Sequence, residues 1–280
     1  SSTNGSDGLF RWNGSVGATI AKTKVSGSFT NFHYDGYRNH SNADFKRANI
    51  KLSSILSSSD ILLVNAGYVN FVALSPGSLT KEEFEQNPKL ANPLGVKNNA
   101  GEDGTQFQLA ATWKHQGDTN SLLQISVYDL YRSVRNLIVG KIIELPQNAG
   151  GIEAIYDTKI NIIGKIVDWS IGTDVGLRFN NRKNYINNDG FEGEMFLNQD
   201  ERVINVGLFT QVLVPLTLKF DIAGSIRYDQ TYFGVTDYFS NSQNIDNSGS
   251  RTMKGVSPAV GIVYRLSKSL NCFANISTSF

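Results

Sequence analysis

Residues 216–229, LTLKFDIAGSIRYD, alternate between apolar and polar side chains. Phe220, Ile222 and Ile226 fall at even positions, and Asp221 and Arg227 fall at odd ones. A period of two places successive side chains on opposite faces of a β-strand. The same alternation recurs in residues 106–114, 167–179 and 270–280. The pattern predicts strands with one apolar and one polar face.

The whole chain predicts about twelve strands of this kind. The expected segments are 9–20, 24–34, 45–56, 60–72, 106–114, 121–132, 151–163, 167–179, 201–213, 216–229, 256–267 and 270–280. Most exceed the usual strand length of about five or six residues, which suits strands that cross a membrane at a tilt. Residues 79–91, LTKEEFEQNPKLA, are the one stretch that predicts a short helix, because acidic residues lie near its start.

The connections between these segments alternate between short and long. Short turns are expected near 21–24, 57–60, 115–119, 164–165, 214–215 and 267–269, and long polar loops at 34–44, 73–105, 133–150, 181–200 and 234–254. Transmembrane barrels separate tight periplasmic turns from long extracellular loops in this way. The sequence therefore predicts an all-β fold, a transmembrane antiparallel up-and-down β-barrel.

Large aromatic residues support this orientation. Trp113, Trp169 and Tyr264 lie on apolar faces near short turns, whereas Phe179 and Tyr228 lie near long loops. Two aromatic girdles are expected where a barrel crosses the headgroup regions. A soluble β-sandwich with aromatic residues at its edges is the alternative, and the scarcity of lysine and arginine on the apolar faces disfavours it.

Composition narrows the functional classes. The formal net charge of +1 gives no electrostatic reason to expect a nucleic-acid partner. Mean hydropathy is −0.23, and a barrel tolerates this value because half of each strand faces a wet lumen. Catalytic signatures such as G-x-S-x-G, H-E-x-x-H or a P-loop are missing, and the three histidines are not spaced as metal ligands. We therefore expect no enzyme activity, no cofactor and no metal site.

Several stretches resemble TonB-dependent outer-membrane receptors, specifically the C-terminal barrel region of the branch that handles ferric siderophores and ferric citrate. They are DGYRNHS (35–41), SPGSLTKEEFEQNPKLA (75–91), NVGLFTQ (205–211), AGSIRYDQ (223–230) and VSPAVGIVYRLSKSLNCFANISTSF (256–280). The resemblance implies an outer-membrane protein of a Gram-negative bacterium, embedded in outer-membrane lipid. It also implies that a ferric siderophore or ferric citrate is bound outside and imported with energy from TonB-ExbB-ExbD.

The same resemblance also raises the question of completeness. Family members carry a plug domain, through which TonB acts, and a barrel of about 22 strands. Neither the plug nor so many strands is visible in residues 1–280, so we expect this stretch to be part of the barrel domain, with the plug absent. The alternative is a complete small barrel of twelve strands that ends on Phe280 and acts as a passive porin or structural barrel.

Candidate ligand-binding residues fall in two groups. Arg132, Arg178 and Arg227 lie on polar strand faces near the expected mouth, where guanidinium groups could bind the carboxylates of an anionic chelate. The connection at 34–44 adds His33, Tyr37, Arg38 and His40. For the arginines the alternative is structural: they pair with the carboxylates of Asp129, Asp174, Asp221 and Asp229 in the barrel wall.

Overall fold

The computed structural model describes residues 1–240, 244–267 and 269–279 of the 280-residue chain. Its strands are β1 (Ser2–Asn4), β2 (Phe10–Ile20), β3 (Thr23–Tyr34), β4 (Ala43–Ile55), β5 (Asp60–Leu74), β6 (Gly101–Asp118), β7 (Ser121–Ile138), β8 (Lys141–Ile162), β9 (Lys165–Asn188), β10 (Phe191–Pro215), β11 (Phe220–Asp237), β12 (Gly249–Arg265) and β13 (Asn271–Ser277). Two helices, α1 (Lys81–Gln86) and α2 (Pro93–Lys97), lie between β5 and β6.

All strands form one sheet, in which each strand pairs antiparallel with the next along the chain. The predicted all-β, up-and-down topology is confirmed, and the twelve expected strands correspond to β2–β13. The prediction missed β1, whose three residues are too few to show alternation. Phe280, considered as a closing aromatic residue, lies outside the described residues.

Two of the predicted long loops are wrong. Residues 133–150 and 181–200 belong to the continuous hairpins β7–β8 and β9–β10, whose two-residue turns are Val139–Gly140 and Asp189–Gly190. Asp189 and Gly190 both have positive φ, at 55° and 93°, which is the geometry that Asp-Gly hairpin turns favour. The apolar–polar alternation is lost here because the tips bury polar as well as apolar side chains, such as Asn184 and Ile142, while the backbone ladder continues.

The strand expected at 216–229 begins four residues later. β10 runs to Pro215, the turn occupies 216–219, and β11 starts at Phe220 and continues to Asp237. The backbone N–H of Leu216 donates to the carbonyl oxygen of Phe220 across this turn. Leu218 is 98% exposed, although its position in the alternation had placed it in the strand. The predicted turn at 214–215 is shifted accordingly.

The predicted helix at 79–91 is shorter than expected. α1 is fixed by a capping box in which the Thr80 hydroxyl accepts from the Glu83 N–H and the Glu83 carboxylate accepts from the Thr80 N–H. α2 follows, and the Asn92 side chain accepts from the N–H groups of Leu94 and Gly95 at its start. Within the described part of the chain, neither helix has the length and apolar character needed to cross a membrane.

Register gives each strand an apolar face and a polar face, and the apolar face is left open. Val16 is 75% exposed, Leu208 54% and Val260 54%. Tyr68, Phe107 and Tyr131 are register partners on neighbouring strands of the apolar face, toward the long connections. Near the short turns, Phe220 and Tyr264 pack with ring centroids 6.4 Å apart. A broad apolar surface between two aromatic rows fits contact with lipid acyl chains.

Candidate functional site

On the polar face, an aromatic ladder lies near the long connections. Phe32, Phe45 and Phe71 are register partners on β3, β4 and β5, with successive ring centroids 5.7 and 5.8 Å apart. The next partner is Gly104 on β6, where an added Cβ would lie 2.9 Å from the Phe71 ring. Glycine is therefore required beside the last ring. Phe45 and Phe71 are stacked and Phe32 meets Phe45 edge to face, so the ladder forms an apolar platform on the wall.

Two arginines extend this platform across the sheet. The Cζ atom of Arg47 lies 5.6 Å from the centroid of the Phe45 ring, a cation–π contact. Arg47, Val69, Gln106 and Arg132 are successive register partners on β4–β7. Arg132 and Arg47 thus occupy one hydrogen-bonded row of the polar face, three strands apart.

Arg178 lies close to this row, on β9. It is the register partner of Ala149, which is the partner of Leu130, two residues before Arg132 on β7. Two strand spacings and two residues of rise place the Cα atoms of Arg132 and Arg178 roughly 12 Å apart. Both side chains are exposed, and neither makes a hydrogen bond or ion pair with any residue that the structure describes. Their guanidinium donors are free to bind a ligand.

Arg227 differs, because its charge is already compensated. Its Nε donates to both carboxylate oxygens of Asp229, at 2.8 and 2.9 Å, and its Nη2 donates to Asp174 at 2.7 Å. The Phe209 ring lies 5.8 Å from the Cζ atom. An added Cβ at Gly207 would meet the guanidinium at 2.1 Å, so the side chain fills the space that this glycine leaves. Arg227 has the contacts of a wall residue.

The other two aspartates considered as partners of the polar-face arginines, Asp221 and Asp129, do not pair with Arg132, Arg178 or Arg227. Asp221 is 4% exposed and accepts from the guanidinium of Arg265, which the sequence had not singled out. Asp129 was expected on the polar face but belongs to the apolar face, since its register partners are Leu109 and Gly150. The prediction failed because the alternation in 121–132 is irregular. Asp129 therefore does not neutralise the polar-face arginines.

The other four candidate residues lie around the connection between β3 and β4. Arg38 donates to the carbonyl oxygens of Leu90, Gly77 and Pro76 at 2.9, 2.8 and 3.4 Å. His40 contacts the carbonyl oxygen of Ala100 at 2.9 Å, and the Tyr37 ring lies 5.4 Å from the ammonium of Lys89. These contacts anchor the long segment between β5 and β6 to the connection between β3 and β4.

His33 is held by two carboxylates at the edge of the same connection. Its Nδ1 lies 2.7 Å from Asp44 and its Nε2 lies 3.1 Å from Asp35. Hydrogen bonding to Asp44, and then to Asp35, raises the pKa of the imidazole above its usual value. A protonated His33 would stabilise this edge, and its contact with a ligand stays a prediction.

A family model settles which class of protein this wall belongs to. The model described as TonB dependent receptor-like, beta-barrel matches residues 4–280. The chain belongs to the TonB-dependent receptor family. The receptor chain has no group of three His, Cys, Asp or Glu residues, among those described, that could hold a metal ion.

Solved receptor structures show the same fold at low identity. The ferric citrate transporter FecA, in its unliganded form, is 14% identical with a TM-score of 0.83, over 97% of this chain and 42% of that one. The ferric-catecholate import receptor Fiu from E. coli K12 is 10% identical with a TM-score of 0.80, over 99% of this chain and 53% of that one. The alcaligin outer-membrane receptor FauA from Bordetella pertussis is 11% identical with a TM-score of 0.75, over 98% of this chain and 42% of that one. The chain thus spans about half the length of these receptors or less.

In a barrel fold, one face of the sheet points outward and the other lines the lumen. The apolar face, with its aromatic rows, is the outward surface toward lipid, and the polar face is the lumen. The ladder of Phe32, Phe45 and Phe71 therefore lies on the lumen wall. So do Arg47, Arg132 and Arg178, which form no ion pair with a residue that the structure describes. The sequence had not predicted the ladder or Arg47, because β4 carries the adjacent charges Lys46 and Arg47 on opposite faces and so hides its alternation. Aligning the hairpins by register would have found it.

Beyond the aromatic row, the tips of the receptor's hairpins carry a second charged cluster. Arg135 donates to Glu192 at 2.9 Å and lies 3.8 Å from Glu144. Burial, followed by the neighbouring Glu192 carboxylate, raises the pKa of Glu144. Burial and the two carboxylates likewise raise the pKa of Tyr185. Both carboxylates lie against the one guanidinium, whose Nε is buried without a hydrogen-bond partner among the described residues, so the cluster carries no excess positive charge for an anion.

Proposed function

We propose that the chain forms part of an outer-membrane receptor that binds an anionic ferric chelate on its lumen wall. Unpaired Arg132 and Arg178 carry this proposal. Arg227 is neutralised by carboxylates, whereas these two make no ion pair with a described residue, and Arg132 shares its register row with Arg47 of the aromatic platform. The family is one of receptors, and some similar structures are named for ferric citrate or ferric catecholates, which supports a ferric chelate as the ligand class.

The spacing suits a multidentate anion. Side chains about 12 Å apart at Cα can converge on one ligand, since each arginine is long and flexible. A guanidinium binds a carboxylate through two parallel hydrogen bonds, and charge-assisted hydrogen bonds are worth about 1.5–3 kcal/mol each. The phenylalanine ladder with Arg47 offers apolar and cationic contact to the organic part of the chelate. Tyr37, Arg38, His33 and His40 stay as predicted contacts at the rim.

We also propose where the receptor lies in the cell and what drives import of the chelate. By its family, the receptor lies in the outer membrane of a Gram-negative bacterium, in contact with outer-membrane lipid. Energy reaches it from TonB-ExbB-ExbD through a plug that belongs to the longer protein. Residues 1–280 contribute the barrel wall and carry out no catalytic chemistry. The second candidate, a passive porin, is favoured only if uptake proceeds without that energy.

Ligand titration of the intact receptor tests the binding site. We expect the double variant Arg132→Gln and Arg178→Gln to bind ferric citrate at least tenfold more weakly by fluorescence quenching, because two charge-assisted contacts are lost. The matched control, Lys46→Gln with Lys254→Gln, removes the same charge from the apolar face and should bind as the wild type does. Equal affinity of all three proteins would contradict the assignment.

Uptake in cells separates the receptor from the passive pore. Radioactive iron supplied as ferric citrate should accumulate in cells that contain TonB and should not accumulate in cells that lack it. Uptake that is equal in both strains would favour the passive porin. The Arg132 and Arg178 variants should lose uptake in proportion to their loss of affinity.

A further inference from the structure

A cavity of about 340 Å³ opens on the apolar face, where β8–β11 pass the outer aromatic row. Phe179, Arg202 and Gly234 are successive register partners there, on β9, β10 and β11. Asn148 on β8 and Tyr232 on β11 are among the other residues that line it on the same face. The cavity therefore faces away from the lumen, on the surface that meets lipid.

Arg202 brings its positive charge into this cavity. Its Cζ atom lies 5.3 Å from the centroid of the Phe179 ring, and it makes no ion pair within the described ranges. Asp200, two positions away on the same face, also lines the cavity, but its carboxylate accepts from the Asn181 side chain at 2.8 Å and from the Tyr238 hydroxyl at 3.0 Å rather than from Arg202. The ring face of Phe179 contacts the guanidinium, and the N–H donors of Arg202 have no hydrogen-bond acceptor among the described residues.

The position of the cavity along the membrane normal determines which part of a lipid molecule lies beside it. Phe179 closes the apolar surface of β9, and Leu177 and Ile204 lie one step closer to the membrane centre as register partners on that surface. Aromatic residues at this position mark the headgroup level of the bilayer. Acyl chains therefore cover the wall directly below Arg202, and lipid headgroups lie beside it.

We propose that the Arg202 cavity binds the phosphate of a lipid headgroup in the outer leaflet. A planar guanidinium binds phosphate through paired hydrogen bonds, and its contact with Phe179 pre-orients the donors. Asn148 and Tyr232 supply further polar groups to the headgroup, while the acyl chains pack on Leu177 and Ile204. This site is on the opposite face from the proposed chelate site, so neither depends on the other.

Native mass spectrometry of the intact receptor in detergent tests the proposal with three probes. They are phosphatidic acid, diacylglycerol of the same chain length, and inorganic phosphate. We expect wild-type receptor to retain phosphatidic acid in preference to diacylglycerol, and Arg202→Gln to retain it at least tenfold more weakly. Arg251→Gln is the matched control, because Arg251 lies on the lumen side as the partner of Phe233, beside the same row.

Each outcome decides the matter. Equal retention by wild type and Arg202→Gln, or an equal loss in Arg251→Gln, would overturn the site. Competition by inorganic phosphate at the concentration of the lipid would show a simple anion site and would overturn the lipid assignment. If Arg202→Gln does not fold into a heat-resistant barrel, Phe179→Leu serves instead. That variant keeps the charge but frees the guanidinium, so retention should fall, and unchanged retention would contradict the proposal.

Discussion

Exchanging adjacent residues of β7 for arginine tests which face of the wall meets lipid. Val127 lies on the apolar face, between its register partners Ala111 and Ile152, and is 45% exposed. Ser126 precedes it on the lumen face. The same substitution at both positions keeps the strand, the residue type and the added charge constant, and changes only the face.

The expected cost of Val127→Arg follows from its depth. Tyr131 lies four residues along the strand in one direction, and Leu123, the partner of Tyr156, lies four in the other. Four residues rise about 13 Å along the strand, or about 10 Å along the membrane normal at a tilt near 40°. Val127 is therefore near the bilayer midplane, where an arginine costs about 2–4 kcal/mol, roughly a 30- to 700-fold change in the folding equilibrium.

Ser126→Arg should cost far less. The substitution removes a hydroxyl contact with Thr112 at 3.0 Å, which contributes about 0.5–1.5 kcal/mol. The new guanidinium would lie beside Glu153, the register partner of Ser126, whose carboxylate has no hydrogen-bond or ion-pair partner in the described part of the chain. An ion pair worth about 0–1 kcal/mol offsets part of the loss.

Urea titration of the intact receptor folded into lipid vesicles gives the two free energies of unfolding. We expect Val127→Arg to lower the midpoint strongly and Ser126→Arg to shift it little. Equal midpoints for the two variants, or a larger loss for Ser126→Arg, would refute the assignment of the faces.

Three further predictions concern the wall and its hairpins. Arg227→Gln should lower the free energy of unfolding by about 1–3 kcal/mol, because it leaves the Asp174 carboxylate without its donor, and adding Asp174→Asn should recover part of the loss in urea titration. Gly190→Ala should weaken the β9–β10 turn by roughly 1 kcal/mol, since alanine disfavours a φ of 93°, and amide exchange at the tip should rise without a change at the base. The raised pKa of Glu144 means that the folded tip binds more protons than the unfolded one, so its stability should fall as pH rises from the usual glutamate range through that pKa. Exchange at the tip, corrected for the intrinsic rate, should show this dependence and lose it in Glu144→Gln.

Sequence patterns predicted the parts of the fold that the bilayer shapes. Strands such as β9 alternate strictly where one face meets lipid, and the twelve segments and the short turns followed from that. The hairpin tips were missed because residues 181–188 carry no apolar–polar alternation, since their buried positions include the polar Asn184 and Asn187. The Asp189–Gly190 turn was the one local signal available there.

The candidate site was harder to predict, because it depends on pairing across strands. Arg132, Arg178 and Arg227 all lie on polar strand faces in the sequence, yet only the register places Asp174 beside Arg227 and leaves the other two unpaired. The aromatic ladder similarly joins Phe32 to residues far along the chain. A period of two gives the face of a side chain but not its neighbours.

The position of iron in crystals of the intact receptor soaked with ferric citrate tests the central claim most directly. Anomalous scattering at the iron edge locates the metal without reference to the chelate's shape. The account predicts an iron peak in the lumen between the side chains of Arg132 and Arg178, on the side of the Phe45 ladder, with the citrate carboxylates against both guanidinium groups. An iron peak elsewhere in the lumen, with both arginines unchanged and without contact to the chelate, would contradict it.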